Sequence, residues 1–364
     1  MSTYLAPWNN LADRNVVIRF IDVNLRGSSQ VMFQNNPLTG LLFLVGITWG
    51  ALAAGMPNVA IGAVVGVVVA TATAMLLAVH QDSLRMGLYG FNGILVGCAL
   101  PTFLKGEPLM WVYLILGAAV STVAMLAISS LLKPYGVSAL TFPFVLTTWF
   151  LVLGAYAFAR TPIASMGPPA LPAAINPAAA VPPAGATFWL DSILQGPAQV
   201  FLIQSVITGI IFLIALAVSD IWAAIFALGG AVVAVLTALL LGADAKSLND
   251  GLYGFSPVLT AIALGTTFYR PSWRVTLYTL LGVIFTVVIQ GALNILLTPV
   301  GIPTFTAPFV FATWLFLFPK ENLVPVQHAP MTGGLHLSDQ KGAKAAGVPP
   351  VAAKPQTARA AKVK

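Results

Sequence analysis

The chain has 364 residues and a formal net charge of +7, but only 7% of its residues are charged while 58% are hydrophobic. Such a composition cannot give a soluble domain a polar surface, so the chain belongs in a lipid bilayer. The basic residues sit at the termini and in gaps between apolar runs, which reads as membrane orientation and excludes nucleic acid as the partner.

In chain order, the stretch from Met1 to Gly27 carries charges and no apolar h-region, so no cleavable signal peptide is expected. Residues 15–30 are too short and too polar to cross about 30 Å of hydrocarbon, which takes ~20 apolar residues, and suit an interfacial or re-entrant helix. Apolar runs follow near 38–55, 57–78, 86–104, 109–132 and 139–159. Ala and Pro dominate 161–187, the composition of a semi-rigid connector. A second short segment at 188–199 repeats the spacing of the first, with Asp191, Gly196 and Gln199 placed like Asp22, Gly27 and Gln30. Further runs fall near 200–219, 221–242, 251–268, 274–297 and 303–319, and the basic tail 320–364 has the composition of a disordered segment.

Three blocks occur twice. Gln30-Val31 pairs with Gln199-Val200, Gly87-Leu88-Tyr89-Gly90-Phe91 with Gly251-Leu252-Tyr253-Gly254-Phe255, and Thr141-x-Pro-Phe-Val-x-x-Thr-Trp with its copy from Thr306, at offsets of 169, 164 and 165 residues. Matching Ser-Leu pairs, Ser83-Leu84 and Ser247-Leu248, precede the second block, and Leu95 and Leu259 follow Phe91 and Phe255 by one helical turn. Near-constant offsets establish a duplication. The expected division is a first repeat at 1–160, a connector at 161–187, a second repeat at 188–319 and a tail at 320–364. Five spans per half is an odd number, so the second half enters the membrane upside down. The expected fold is therefore an all-α integral membrane protein of two inverted halves, each of five transmembrane helices and one re-entrant helix, with a pore at the pseudo-two-fold axis. Arg14, Arg19, Arg26, Arg85, Lys133, Arg270, Arg274 and the basic tail place both termini in the cytoplasm.

The residues that repeat are polar but uncharged. His80, His328 and His336 are scattered, Cys98 is the lone cysteine, and no triad, paired carboxylates or metal-ligand cluster is visible, so neither an enzyme nor a cofactor or metal site is expected. Asp22, Asp82, Asp191, Asp220, Asp244 and Asp250 all lie in or beside breaks, where a loop charge or helix cap is the plain reading. Gln30, Gln199, Thr141 and Thr306 offer neutral hydrogen-bonding groups for a neutral polar solute. The proline two residues after each threonine removes a backbone donor and can free a carbonyl in the preceding turn; the alternative is a kink with the threonine bonded to its own helix. Phe91, Phe255, Phe144 and Phe309 are packing residues singly, but paired across a two-fold their faces form a slot that admits a planar solute and rejects an ion.

At Gln30-Val31-Met32-Phe33-Gln34-Asn35-Asn36-Pro37-Leu38-Thr39-Gly40, at the two Gly-Leu-Tyr-Gly-Phe copies and at the two Thr-x-Pro-Phe blocks, the chain resembles the urea transporter family over roughly residues 15–319. The resemblance implies a channel-like urea permease of the bacterial inner membrane, a homotrimer with one pore per subunit. It implies Gln30 and Gln199 near the filter, Phe91 with Leu95 and Phe255 with Leu259 lining two slots, Thr141 with Thr306 marking the middle, and Val31, Phe33 and Val200 completing the walls. Two departures bear on selectivity: Leu202 stands where the first half has Phe33, which makes the second slot less aromatic, and Gln199 replaces an acidic residue of many members, which adds a donor. Rival readings are an ion-coupled transporter using Asp22 or Asp191, an ammonium or small-amide channel with His80 as its one candidate histidine, and a membrane scaffold.

Overall fold

The computed structural model describes residues 5–166, 169–172 and 185–323. Most of the connector and all of the tail beyond 323 lie outside these residues. Among the described residues every named element is helical, the one β feature being an isolated bridge between Leu104 and Ile163.

A short helix α1 (Ala6–Arg14) leads into α2 (Val16–Gln30), α3 (Pro37–Ala53), α4 (Pro57–Leu76), α5 (Gln81–Arg85), α6 (Phe91–Phe103), α7 (Pro108–Leu132) and α8 (Phe142–Ala157). From α2 onward the same order then recurs: α9 (Ala186–Gln199), α10 (Val206–Ser219), α11 (Ile221–Leu240), α12 (Ala245–Asn249), α13 (Phe255–Ile262), α14 (Trp273–Leu297) and α15 (Ala307–Leu317). Starts are set by local chemistry. Asn15, Asn36, Ser205, Asp220, Asp244 and Ser272 each accept a backbone N–H of the helix they open. Asp220 and Asp244 are therefore helix caps.

Among the described residues four helical stretches are long and apolar enough to cross a membrane: Pro57–Leu76, Pro108–Tyr135, Ile221–Leu240 and Trp273–Val300. Six further apolar helices have 10–17 residues, fewer than the expected spans at 86–104, 200–219 and 303–319 would require. The shortening has a backbone cause. The chain enters the left-handed region at Phe33 and Leu202, at Ala78 and Gly242, at Gly87 and Gly251, at Gly136 and Gly301 and at Leu140 and Phe305, and each such residue ends or precedes a helix. Every pair is separated by one of the repeat offsets, so the duplication extends to backbone conformation. The helix that the sequence places from 251 instead starts at Phe255 and passes into a π-turn over Ala263–Thr267.

Large apolar side chains such as Leu76, Leu131, Phe150, Leu240 and Trp273 are exposed, while the interior between helices is rich in small residues. α4 and α6 touch backbone to backbone: a Cβ on Gly97 would lie 2.0 Å from the carbonyl oxygen of Gly62. In the second half Phe226 and Ala261 occupy these positions, and the Phe226 ring presses on Gly265 in the π-turn instead.

Candidate functional site

The two short helices end alike. After α2, Gln34 N–H bonds Ser29 O at 3.1 Å and Phe33 N–H bonds Gln30 O at 3.0 Å; after α9, Ile203 N–H bonds Ala198 O at 3.3 Å and Leu202 N–H bonds Gln199 O at 3.0 Å. Both are Schellman closures with the left-handed residue usually given to glycine filled by Phe33 (φ 64°) or Leu202 (φ 59°). A bulky side chain in that conformation is strained, and such strain persists where surrounding structure holds it.

The helix ends fix the glutamines. Gln30 Nε2 donates to Met86 O at 2.9 Å and Gln199 Nε2 donates to Asp250 O at 2.7 Å, each carbonyl preceding the first glycine of a Gly-Leu-Tyr-Gly-Phe block. Gly87 and Gly251 have φ of 74°, and a Cβ on Gly87 would sit 2.3 Å from Gly27 N, so only glycine lets this turn lie against the short helix. In both cases a donor of the amide is engaged and Oε1 is turned away as the acceptor. One of the two N–H donors that Gln199 brings is thus engaged by the backbone.

Thr141 and Thr306 stand immediately before α8 and α15 and hydrogen-bond each other, Oγ1 to Oγ1, at 2.6 Å, both buried. Neither bonds its own helix. Pro143 and Pro308 fall at the second position of their helices, where a missing N–H costs nothing, so the expectation that they free a carbonyl in a preceding turn is corrected. Two further pairs of bonds between the halves are reciprocal: Trp149 Nε1 to Pro303 O at 3.0 Å with Trp314 Nε1 to Ser138 O at 2.9 Å, and Thr39 Oγ1 to Ala215 O at 2.8 Å with Thr208 Oγ1 to Gly46 O at 2.9 Å.

Beside the threonine pair lies a cavity of about 380 Å³ that reaches Gln199, Val200, Phe255 and Thr306, with Phe103, Phe144, Leu202 and Phe305 among its walls and no charged side chain in its lining. A second, more polar cavity of about 310 Å³ is lined by Phe33, Gln34, Asn35, Ser219 and Thr267 together with Arg26 and Asp220. Of the pore residues implied by the resemblance, these cavities thus take in Gln199, Val200, Phe255, Thr306 and Phe33. Gln30, Val31, Phe91, Leu95, Thr141 and Leu259 border neither; all six are buried, and Thr141 meets the larger cavity only through Thr306. Phe103, Phe268, Phe305 and Gln290 escaped sequence reasoning. Phe103 and Phe268 are separated by 165 residues, an offset of the repeat, and extending the alignment past the identical blocks exposes them.

Asp22, which a coupled transporter would use, is committed: it accepts from Trp8 Nε1 at 2.7 Å and from Arg26 Nε at 2.8 Å. No group of three His, Cys, Asp or Glu able to hold a metal ion occurs among the described residues.

A family model described as Urea transporter matches residues 21–321. Urea transporter 1 of Rattus norvegicus is 32% identical over 321 residues, covering 85% of this chain and 79% of the relative. Urea transporter 1 of Capra hircus is 31% identical over 319 residues with the same coverage, and that of Mus musculus 32% over 321. With a model covering most of its length and relatives above 30% identity along 79% of theirs, the chain belongs to the urea transporter family.

Proposed function

We propose that this protein conducts urea passively through a pore that runs between its two halves, past the Thr141–Thr306 pair. The chain is an integral membrane protein of a transporter family and not an enzyme. The observation that carries the placement is the hydrogen-bond pattern between the halves. In an arrangement with two-fold symmetry a contact from i to j recurs as j to i, and only a residue on the axis bonds its own counterpart. The reciprocal tryptophan and threonine bonds and the self-paired Thr141–Thr306 bond fit that rule. They support an inverted repeat with its axis through the threonines, each half contributing five spans and one re-entrant helix.

Urea carries four N–H donors on a flat frame. Its water is replaced by Gln199 Oε1, Thr306 Oγ1 and, in the other half, Gln30 Oε1, while rings flank its faces; weak sites in series let it enter and leave. A cavity wall without charge suits a neutral solute and leaves an ion without compensation for lost hydration. Phe91 with Leu95 and Phe255 with Leu259 form the two slots, Val31, Phe33 and Val200 completing the walls. The assembly is a homotrimer in a bacterial inner membrane with one pore per subunit. Both termini are cytoplasmic, supported by the ion pair of Arg85 with Asp13 of α1 and by the bond from Lys320 Nζ to Gly136 O beside Lys133.

Purified protein in liposomes is expected to pass urea down its gradient at a rate unchanged by a proton ionophore or by replacing sodium. Net downhill flux abolished by the ionophore refutes the reading in favour of coupling.

A further inference from the structure

We propose that Phe305 is the specificity-determining ring of the second pore mouth, filling the place that Leu202 leaves open. The inference rests on the pore reading above. In the first half, Phe33 packs edge-on to Phe268 and Phe309, with centroids 5.8 and 6.0 Å apart. The repeat offset of 165 carries Phe268 onto Phe103 and Phe309 onto Phe144, yet the counterpart of Phe33 is Leu202. The Phe103 and Phe144 rings meet Phe305 instead, at 5.7 and 5.2 Å and again edge-on. Each mouth thus holds three rings in one geometry, built from different elements. In the first the central ring comes from the turn after the short helix; in the second it comes from the turn before the Thr-x-Pro-Phe helix.

The exchange is reciprocal. The position equivalent to Phe305 in the first half is Leu140, so the two halves carry Phe33 with Leu140 and Leu202 with Phe305. All four residues have positive φ, at 64°, 53°, 59° and 48°. A side chain of either type is strained there, so the backbone at both turns presents whatever residue it bears in a fixed direction, and swapping Phe for Leu moves the ring without moving the chain. The Phe305 turn is clamped on both sides: Gln290 Nε2 donates to Thr304 Oγ1 at 2.8 Å and Trp149 Nε1 to Pro303 O at 3.0 Å. Phe305, Leu202, Phe103, Phe144 and Thr306 share the wall of the 380 Å³ cavity, so a ring at 305 faces whatever passes there.

The test uses the full chain in liposomes, with urea flux measured alone and against acetamide. Phe305→Leu removes the central ring and is expected to lower the preference for urea over acetamide about tenfold, the scale on which a pocket discriminates one small apolar group. Leu202→Phe in the wild type adds a fourth ring and is expected to depress flux of both solutes. The double variant L202F/F305L transplants the first-half arrangement and is expected to restore both flux and preference, a sign reversal that additive damage cannot produce. Unchanged preference in Phe305→Leu, or a double variant no better than the worse single, overturns the proposal; Leu202→Phe and the double variant decide if Phe305→Leu fails to insert. Wild-type vesicles that pass no urea refute the pore reading itself, a result independent of any variant.

Discussion

If the pore runs past the threonine pair as proposed, stability and transport share one bond. With Oγ1 of Thr141 and Thr306 2.6 Å apart and buried, one hydroxyl donates to the other and acceptor lone pairs remain on both. Thr141→Val or Thr306→Val keeps the shape but strands the surviving hydroxyl, which costs about 1–3 kcal/mol. Each single variant is therefore expected to lower the unfolding temperature in detergent, and T141V/T306V together to lose less than the sum of the two, because neither hydroxyl is then left unpaired. Urea flux is expected to fall in all three variants, roughly fivefold per lost acceptor at about 1 kcal/mol each. A double variant with wild-type flux reduces the pair to a structural pin.

At the scale of elements, α1 helps to enclose the buried ion pair of the first short helix. Arg26 bonds Asp22 at 2.8 Å, Asn35 Oδ1 at 2.8 Å and Asn9 Oδ1 of α1 at 2.7 Å, while Trp8 of α1 donates to the same aspartate. In α9 the corresponding positions are Gln195 and Asp191, and Asp191 is only half-buried. A charge is buried on α2 because α1 covers it. Arg26→Met is expected to destabilise the protein by about 3–5 kcal/mol by leaving the Asp22 carboxylate buried without its cation, whereas Asp22→Asn with Arg26→Met is expected to recover much of that loss. Chemical denaturation in detergent measures both; a double variant as unstable as Arg26→Met shows that packing and not charge holds α1.

For the molecule as a whole, reciprocity between the halves makes a quantitative demand. Trp149 and Trp314 make equivalent bonds, to Pro303 O and Ser138 O, from equivalent positions. Trp149→Phe and Trp314→Phe are each expected to cost about 1 kcal/mol, equal within error, and to add in the double variant because the two bonds are separate. A large inequality indicates that one half bears the association and that the symmetry is only formal. The halves already differ where α4 meets α6 through Gly62 and Gly97 while α11 carries Phe226, so equality at the tryptophans is a substantive claim.

The sequence alone determined what repeats. The offsets carried by Gln30, Phe91 and Thr141, the apolar runs and the proline-rich connector were enough for the helical membrane class, the duplicated order and the neutral chemistry of the matched residues, because hydropathy and identity are local properties that survive in a linear string. Partnership is not local. That Thr141 bonds Thr306 and not its own helix, and that Gln199 gives a donor to Asp250, depend on contacts between segments far apart in sequence. The ring exchange was hidden for the same reason. Leu202 looked like a lost aromatic because a side chain's place in a wall is set by the turn that aims it, and two different turns, at Phe33 and at Phe305, aim at equivalent pairs of rings. Only the packing of the two halves brings those turns to the same kind of wall.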